Sequence, residues 1–241
     1  MKRIAFLLAA AFACVGGTVS ADLINEFEPN PLGTDPTLVS IELSGTPGAA
    51  FSGFLSSLES DVASGMGQID RSAAVSGTYD ANGLAVVEIG DLENPSYTFM
   101  FSSLDGGGLG TDYDTDNDGT LDVSLAAFGT IFDAVGITDN ATDPVFGDQL
   151  GGIDIAYSGD EPKIAFRDSL TGDWYVVNDA GDVPEEVFDA NGNLVSNSSF
   201  SADPELTTFG SANPFFNAIP EPTSALVLSV FAGIGLMRRR R

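Results

Sequence analysis

From Leu38 onward the chain breaks into short β-prone runs separated by Gly, Asn, Asp, Ser and Pro, and most of it sustains no apolar period of 3.6 residues. That pattern argues against a helical bundle and for many short strands joined by turns. Strands are expected at Leu23 to Phe27, Val39 to Leu43, Ala85 to Ile89, Tyr97 to Phe101, Thr130 to Ile137, Ile153 to Tyr157, Lys163 to Arg167 and Trp174 to Asn178. Phe54 to Ala63 reads as one short helix or a connection. Asp80-Ala81-Asn82-Gly83 carries an Asn-Gly hairpin signal, and the same four residues recur at Asp189 to Gly192. Two copies of one turn chemistry read as independent turns. The expected fold class is all-β, an antiparallel sandwich.

Acidity supports this reading. Asp outnumbers Glu by 24 to 11, and Asp favours turns and oxygen-ligand loops over helix faces. Of nine Lys and Arg, Lys2 and Arg3 open the sequence and Arg238, Arg239, Arg240 and Arg241 close it, leaving Arg71, Lys163 and Arg167 between. Residues 22 to 219 therefore hold 34 acids against three bases, a net charge of −31. Such a surface repels phosphate backbones and anionic headgroups, which argues against nucleic-acid binding and peripheral membrane docking. There is no His, and the one Cys is Cys14, so the body lacks the ligands for zinc, haem or iron–sulfur chemistry and the usual general base. No catalytic residues are assigned, and the chain is read as a non-enzyme.

Both ends read as addresses. Met1-Lys2-Arg3 leads into the apolar run Ile4 to Val15, and Val19-Ser20-Ala21 places small residues ahead of a cleavage between Ala21 and Asp22, so residues 1–21 are expected to be a secretory signal. A lipoprotein site at Cys14 is the weaker alternative, since Phe12 stands where such a site wants a small residue. At the other end Pro220-Glu221-Pro222 is followed by an apolar stretch and then Arg238 to Arg241. A helix over 223–237 covers roughly 22 Å, short of the ~30 Å hydrocarbon core, a gap that snorkelling Arg side chains close. The Arg cluster sets the cytoplasmic side. These three parts in this order resemble the PEP-CTERM sorting signal. The resemblance implies export, transient anchoring in the inner membrane, processing near Pro220–Pro222 by an exosortase, and release or attachment at the exterior of an exopolysaccharide-producing Gram-negative bacterium. A plain C-terminal anchor is the alternative. Residues 193–219, rich in Ser, Asn, Pro and Phe, are expected to be a tether between a body at 22–192 and the signal at 220–241.

The start of the body carries a second resemblance. Leu23-Ile24-Asn25-Glu26-Phe27, a loop with Gly33-Thr34-Asp35, and Ile41-Glu42-Leu43 resemble the opening of lamin-tail-like domains, which are immunoglobulin-like sandwiches found as binding or structural modules on secreted bacterial proteins. From the residues alone, Ile24, Phe27, Ile41 and Leu43 can enter a core, while Glu26 and Glu42 alternate outward or meet at one end.

One segment carries metal chemistry. In Asp112-Tyr113-Asp114-Thr115-Asp116-Asn117-Asp118-Gly119-Thr120-Leu121-Asp122, a Gly at loop position 6 puts Asp114, Asp116 and Asp118 at positions 1, 3 and 5, the Thr120 carbonyl at 7 and Asp122 at 9. Oxygen donors alternating along a tight arc are what Ca²⁺ requires. Position 12 falls on Leu125, so the bidentate Glu of an EF-hand is absent, and the segment is similar to the Asp-rich calcium loops of dockerins and thrombospondin-type repeats. Asp112 or a carboxylate elsewhere is left to complete the shell.

Other candidates carry less. Glu185 and Glu186 exemplify the paired carboxylates a polysaccharide hydrolase would use, the alternative function. Lys163 reads as an exposed strand charge, Gly106-Gly107-Gly108 as a flexible connection, and Asn140-Ala141-Thr142 and Asn197-Ser198-Ser199 as glycosylation patterns without the matching machinery. The expectation is thus an exported calcium-binding structural or adhesion module, with an exosortase as processing partner and acidic exopolysaccharide as a calcium-bridged one.

Overall fold

The computed structural model describes residues 21–31, 33, 36–61, 65–92, 96–178 and 186–217. Within them lie strands β1 (Leu23–Phe27), β2 (Leu38–Ser44), β3 (Ala50–Glu59), β4 (Ile69–Thr78), β5 (Leu84–Gly90), β6 (Tyr97–Ser102), β7 (Ile131–Ile137), β8 (Ile153–Asp154), β9 (Pro162–Arg167), β10 (Trp174–Asn178), β11 (Glu186–Asp189) and β12 (Leu194–Val195). They form a seven-stranded sheet, β12-β11-β10-β9-β1-β2-β5, and a five-stranded sheet, β4-β3-β6-β7-β8. Pairing is antiparallel except between β7 and β8. The molecule is an all-β sandwich, as the runs of short strands predict.

Alternation explains the layers. On β10, Trp174 and Val176 enter the core between the sheets while Tyr175 and Val177 face outward, and β6 does the same with Phe99 and Phe101 inward and Met100 outward. Phe27 packs against Phe99 at 5.2 Å between centroids and edge-on against Trp174 at 6.0 Å, tying the two sheets together. Ile24 and Phe27 both enter this core although they stand three residues apart, which a strict two-residue period forbids. A bulge between Ile24 and Glu26 supplies the extra residue and keeps both inside.

Unlike a bare sandwich, both outer faces are partly covered. Residues 103–130 cross the outer face of the five-stranded sheet and bury Tyr113 and Phe128 against Leu58, Met100 and Ala134. Residues 197–217 fold over the seven-stranded sheet, where Phe200 packs with Phe166 and Tyr175. This corrects the expected tether: β12 extends the sheet beyond residue 193, and Ser199 to Ser201 pair with Phe215 to Asn217 to close a loop whose Asn213 is buried. Phe54 to Glu59 likewise belong to β3 and not to a helix or a connection. Its Ser and Gly residues suit close packing: a Cβ on Gly53 would lie 2.7 Å from the Phe101 ring and 2.4 Å from the Ser102 carbonyl oxygen. The Ile153 to Tyr157 strand shrinks to Ile153–Asp154. Lys163, expected at the surface, is only 7 % exposed.

Both Asp-Ala-Asn-Gly segments fold alike. Asp80 Oδ1 accepts the N–H groups of Asn82 and Leu84, and Asp189 Oδ1 accepts those of Asn191 and Asn193. One links β4 to β5 across the two sheets, and the other closes the β11–β12 hairpin.

Among the described residues no helix is long and apolar enough to cross a membrane. Residues 1–20 of the expected signal 1–21, the span over 223–237 and the sorting residues Pro220, Glu221, Pro222 and Arg238 to Arg241 lie outside the described residues, as does Glu185.

Candidate metal centre

The Asp-rich segment hangs from the covering of the five-stranded sheet. Tyr113 is its anchor: the ring is 1 % exposed, stacks on Phe128 at 4.7 Å, and donates its hydroxyl to the Gly106 carbonyl at 2.8 Å. Gly106 to Gly108 are accordingly a built turn and not a flexible connection. Gly106 has φ of 66°, and a Cβ there would lie 2.1 Å from the Phe128 ring, so only Gly fits. Tyr113 N–H donates to Gly67 O and Asp122 N–H donates to Tyr113 O, which brings the two ends of the segment together.

Between those ends the chain wraps around one carboxylate. Asp114, fully buried, accepts the N–H of Asp118 at 3.1 Å and of Gly119 at 2.9 Å. The wrap needs positive φ at Asn117 (56°) and Gly119 (84°), the second supplied by the residue the spacing places at loop position 6. One carboxylate oxygen from each of Asp114, Asp116 and Asp118 lies within 4.8 Å of the others. Two oxygens bound to one Ca²⁺ at about 2.4 Å are at most about 4.8 Å apart, so three donors at this spacing fit a single ion.

Electrostatics points the same way. Asp116 has its carboxyl pushed above the usual range, chiefly by the charge of Asp118, then by burial and by Asp122 and Asp114. Converging like charges favour either a proton or a cation. Carboxylates alone are hard donors, a set that suits Ca²⁺ and lacks the nitrogen or sulfur ligands that softer metals prefer.

The remaining expected ligands take other roles. Asp122 is held by Thr115, whose hydroxyl donates at 2.7 Å, and stands outside the three-carboxylate group. Thr120 donates its N–H to Asp118 Oδ1 at 2.9 Å and so orients a donor. Asp112 accepts the N–H of Asp114 and steers the entry to the turn. Leu125 starts a short 3₁₀ turn, Leu125–Phe128, and packs toward the core. Gln149 is the residue that sequence reasoning missed. Its side-chain amide donates to Gly119 O at 3.0 Å and accepts from Leu121 N–H at 2.9 Å, clamping the loop from 28 residues away. No local pattern marks it.

As for paired carboxylates, Glu186 is exposed at the start of β11. Glu26 and Glu42 do form a pair across β1 and β2, but both are buried beneath residues 205–213, with all four oxygens accepting hydrogen bonds or in contact with Thr208, Gly210 and Asn25. No polysaccharide chain reaches them in this arrangement. Ala21 and Asp22 directly precede β1, and Asp22 accepts the Tyr79 hydroxyl at 2.9 Å.

Comparison with protein-family models, with curated proteins and with solved structures gives no match.

Proposed function

We propose that this chain is an exported, calcium-binding β-sandwich that serves as a structural or adhesion module on the exterior of a Gram-negative bacterium. The observation that carries the calcium reading is the convergence of Asp114, Asp116 and Asp118 oxygens within 4.8 Å on a loop pinned by Tyr113 and Gln149. Asp122 and Thr120 support that loop from its rim. With three protein carboxylates, affinity belongs with extracellular modules, at Kd on the order of 0.1 to 1 mM. The lamin-tail-like, immunoglobulin-like affinity of the sandwich rests on the antiparallel β1–β2 pair, with Ile24, Phe27, Ile41 and Leu43 in the core. Export through a cleaved signal before Asp22, passage through the inner membrane, exosortase processing near Pro220–Pro222 and calcium bridging to acidic exopolysaccharide rest on the sequence alone.

Isothermal calorimetry tests the metal site. Wild type should release or take up heat on millimolar CaCl₂ with one binding event per chain, and the Asp114→Ala/Asp118→Ala double variant should show dilution heat only. Equal heats from both remove the site. Mass measurement of the exported protein tests the sorting: recovery of a tail ending in Arg241 overturns it, and termini at Asp22 and near Pro220 support it.

A further inference from the structure

The buried Glu26–Glu42 pair has no role in the calcium reading, and its hydrogen-bond arithmetic does not close with both groups ionised. Asn213, 2 % exposed, donates its side-chain Nδ2 to Asn25 O at 3.0 Å and to Arg167 O at 2.9 Å. Those two carbonyls fix the amide orientation, because the flipped form would set oxygen against oxygen. Asn213 Oδ1 therefore faces Thr208 Oγ1 at 2.7 Å as an acceptor. The hydroxyl has one proton, and this contact uses it. Thr208 Oγ1 nevertheless lies 2.9 Å from Glu26 Oε2. The proton between those two oxygens must then come from Glu26.

We infer that Glu26 is held as a neutral carboxylic acid that donates to Thr208, and that this proton latches residues 205–213 as a flap over the outer face of the seven-stranded sheet. The chain of donors runs from Glu26 to the Thr208 hydroxyl to Asn213 Oδ1. Thr208 N–H returns to Glu26 Oε1 at 2.8 Å and Gly210 N–H donates to Glu42, so the flap tip is hung from the pair. Losing the proton turns a donor into a second acceptor facing the same hydroxyl. Either the Glu26 contact or the Asn213 contact then fails.

The surroundings favour the neutral form. Glu26 is 1 % exposed, and the charges acting on it are the acids Glu42 on β2 and Glu28 just beyond β1. Its neighbour on β9 is Phe166. The other charged groups nearby are turned elsewhere: the Arg167 guanidinium holds Asp133, Lys163 acts on Glu28, Asp80 acts on Glu42, and Asp168 accepts the N–H of Phe216. Burial, first, and then these acids outweigh the hydrogen bonds shared with Thr208 and push the Glu26 carboxyl up to about 7. Two open grooves, of ≈610 and ≈520 Å³, are lined in part by Gly210 to Asn213 and by Glu205 to Thr207.

The sign follows from the proton count. The docked flap binds the Glu26 proton more tightly than the lifted one, so docking is strongest below the ordinary value of 4.5 and is lost as pH rises through about 7. Between pH 6 and pH 8 the docking constant should fall about tenfold and then level off. Amide hydrogen exchange on the full chain reads this directly. Protection of the Thr208 and Gly210 amides, corrected for intrinsic rate, should fall about tenfold over that interval while Val176 in β10 holds. In Glu26→Gln the amide nitrogen donates to Thr208 permanently, so Thr208 protection should be the same at both pH values. Flat protection in wild type overturns the latch, as does a Glu26→Gln variant that retains the pH dependence. Should that variant fail to fold, ¹³C titration of the wild-type Glu26 carboxyl decides: a midpoint near 7 supports the latch and one near 4.5 overturns it. No ligand of the Asp114 loop takes part, so calcium and pH titrations read different sites.

Discussion

Arg167 shows how much one side chain can hold in a body with three cations. Its Nη2 reaches both oxygens of Asp133 at 2.9 Å, joining β9 of one sheet to β7 of the other. Nε donates to Ile24 O, Nη1 donates to Gly172 O, and the guanidinium lies 4.5 Å over the Trp174 ring. Asp133 also accepts Ile24 N–H. Burial, first, raises the Asp133 carboxyl, and Arg167 pulls it back toward ionisation. Truncation to Arg167→Ala strands a buried carboxylate, so it should cost about 3–5 kcal/mol, read as a lower urea midpoint. Arg167→Met/Asp133→Leu should recover most of that loss, since an apolar pair of similar volume escapes the desolvation penalty. A cost below about 1 kcal/mol for the single variant would mean the clamp is loose. None of this is visible in sequence, where Arg167 ends a strand and Asp133 lies 34 residues away. By contrast the convergence of Asp114, Asp116 and Asp118 is legible because their spacing is local. Gln149, Thr208 and Asn213 escaped because their partners are far along the chain.

At the scale of elements, bulky alternation predicted well and small residues misled. Trp174 to Asn178 and Leu23 to Phe27 are strands as read, because Trp174, Val176, Ile24 and Phe27 supply aromatic and branched residues to the core. β3 and β4 were obscured by Ser, Gly and Ala, yet each of their glycines sits under an aromatic ring: Gly53 under Phe101, Gly77 under Phe51. The turn chemistry was legible at Asp80 and Asp189, whose geometry the structure repeats. For Asp189, burial raises the carboxyl, and the donors of Asn193 and Asn191 more than offset it. A lowered carboxyl adds stability above its ordinary value near 3.8 and loses it as pH falls below that point. Asp189→Ala should therefore cost about 1 kcal/mol near neutrality and progressively less in acid, measured as the gap between two stability–pH curves. A constant gap across pH would show that the side chain's shape and not its charge holds the turn. On the other sheet, Gly106→Ala forces a methyl into Phe128 at positive φ, and should lower stability by roughly 2 kcal/mol while weakening calcium binding through Tyr113. Stability loss with unchanged calcium affinity would separate the loop from its anchor.

For the whole molecule, the constraint is charge: 34 acids against three bases between residues 22 and 219 leave a net −31 that repels itself in the compact state. The structure answers in two ways, by keeping carboxylates in turns where N–H groups receive them and by gathering three around a point where a cation fits. General screening and site binding both stabilise such a body, and they scale differently. Sodium chloride acts through ionic strength on every exposed charge, whereas calcium at a specific site adds RT ln(1 + [Ca²⁺]/Kd), about 1.4 kcal/mol at tenfold Kd. For a body of about 200 residues that corresponds to a rise in Tm of about 3–6 °C. At constant ionic strength, wild type should show this rise over millimolar CaCl₂, while Asp114→Ala/Asp118→Ala should already start higher than a simple loss of contacts predicts, because two repelling charges are gone, and should not respond further. If calcium and sodium at matched ionic strength move wild type equally, the loop is a solvated acidic turn. If calcium alone moves it and the double variant stays still, the stabilisation by calcium comes from that loop.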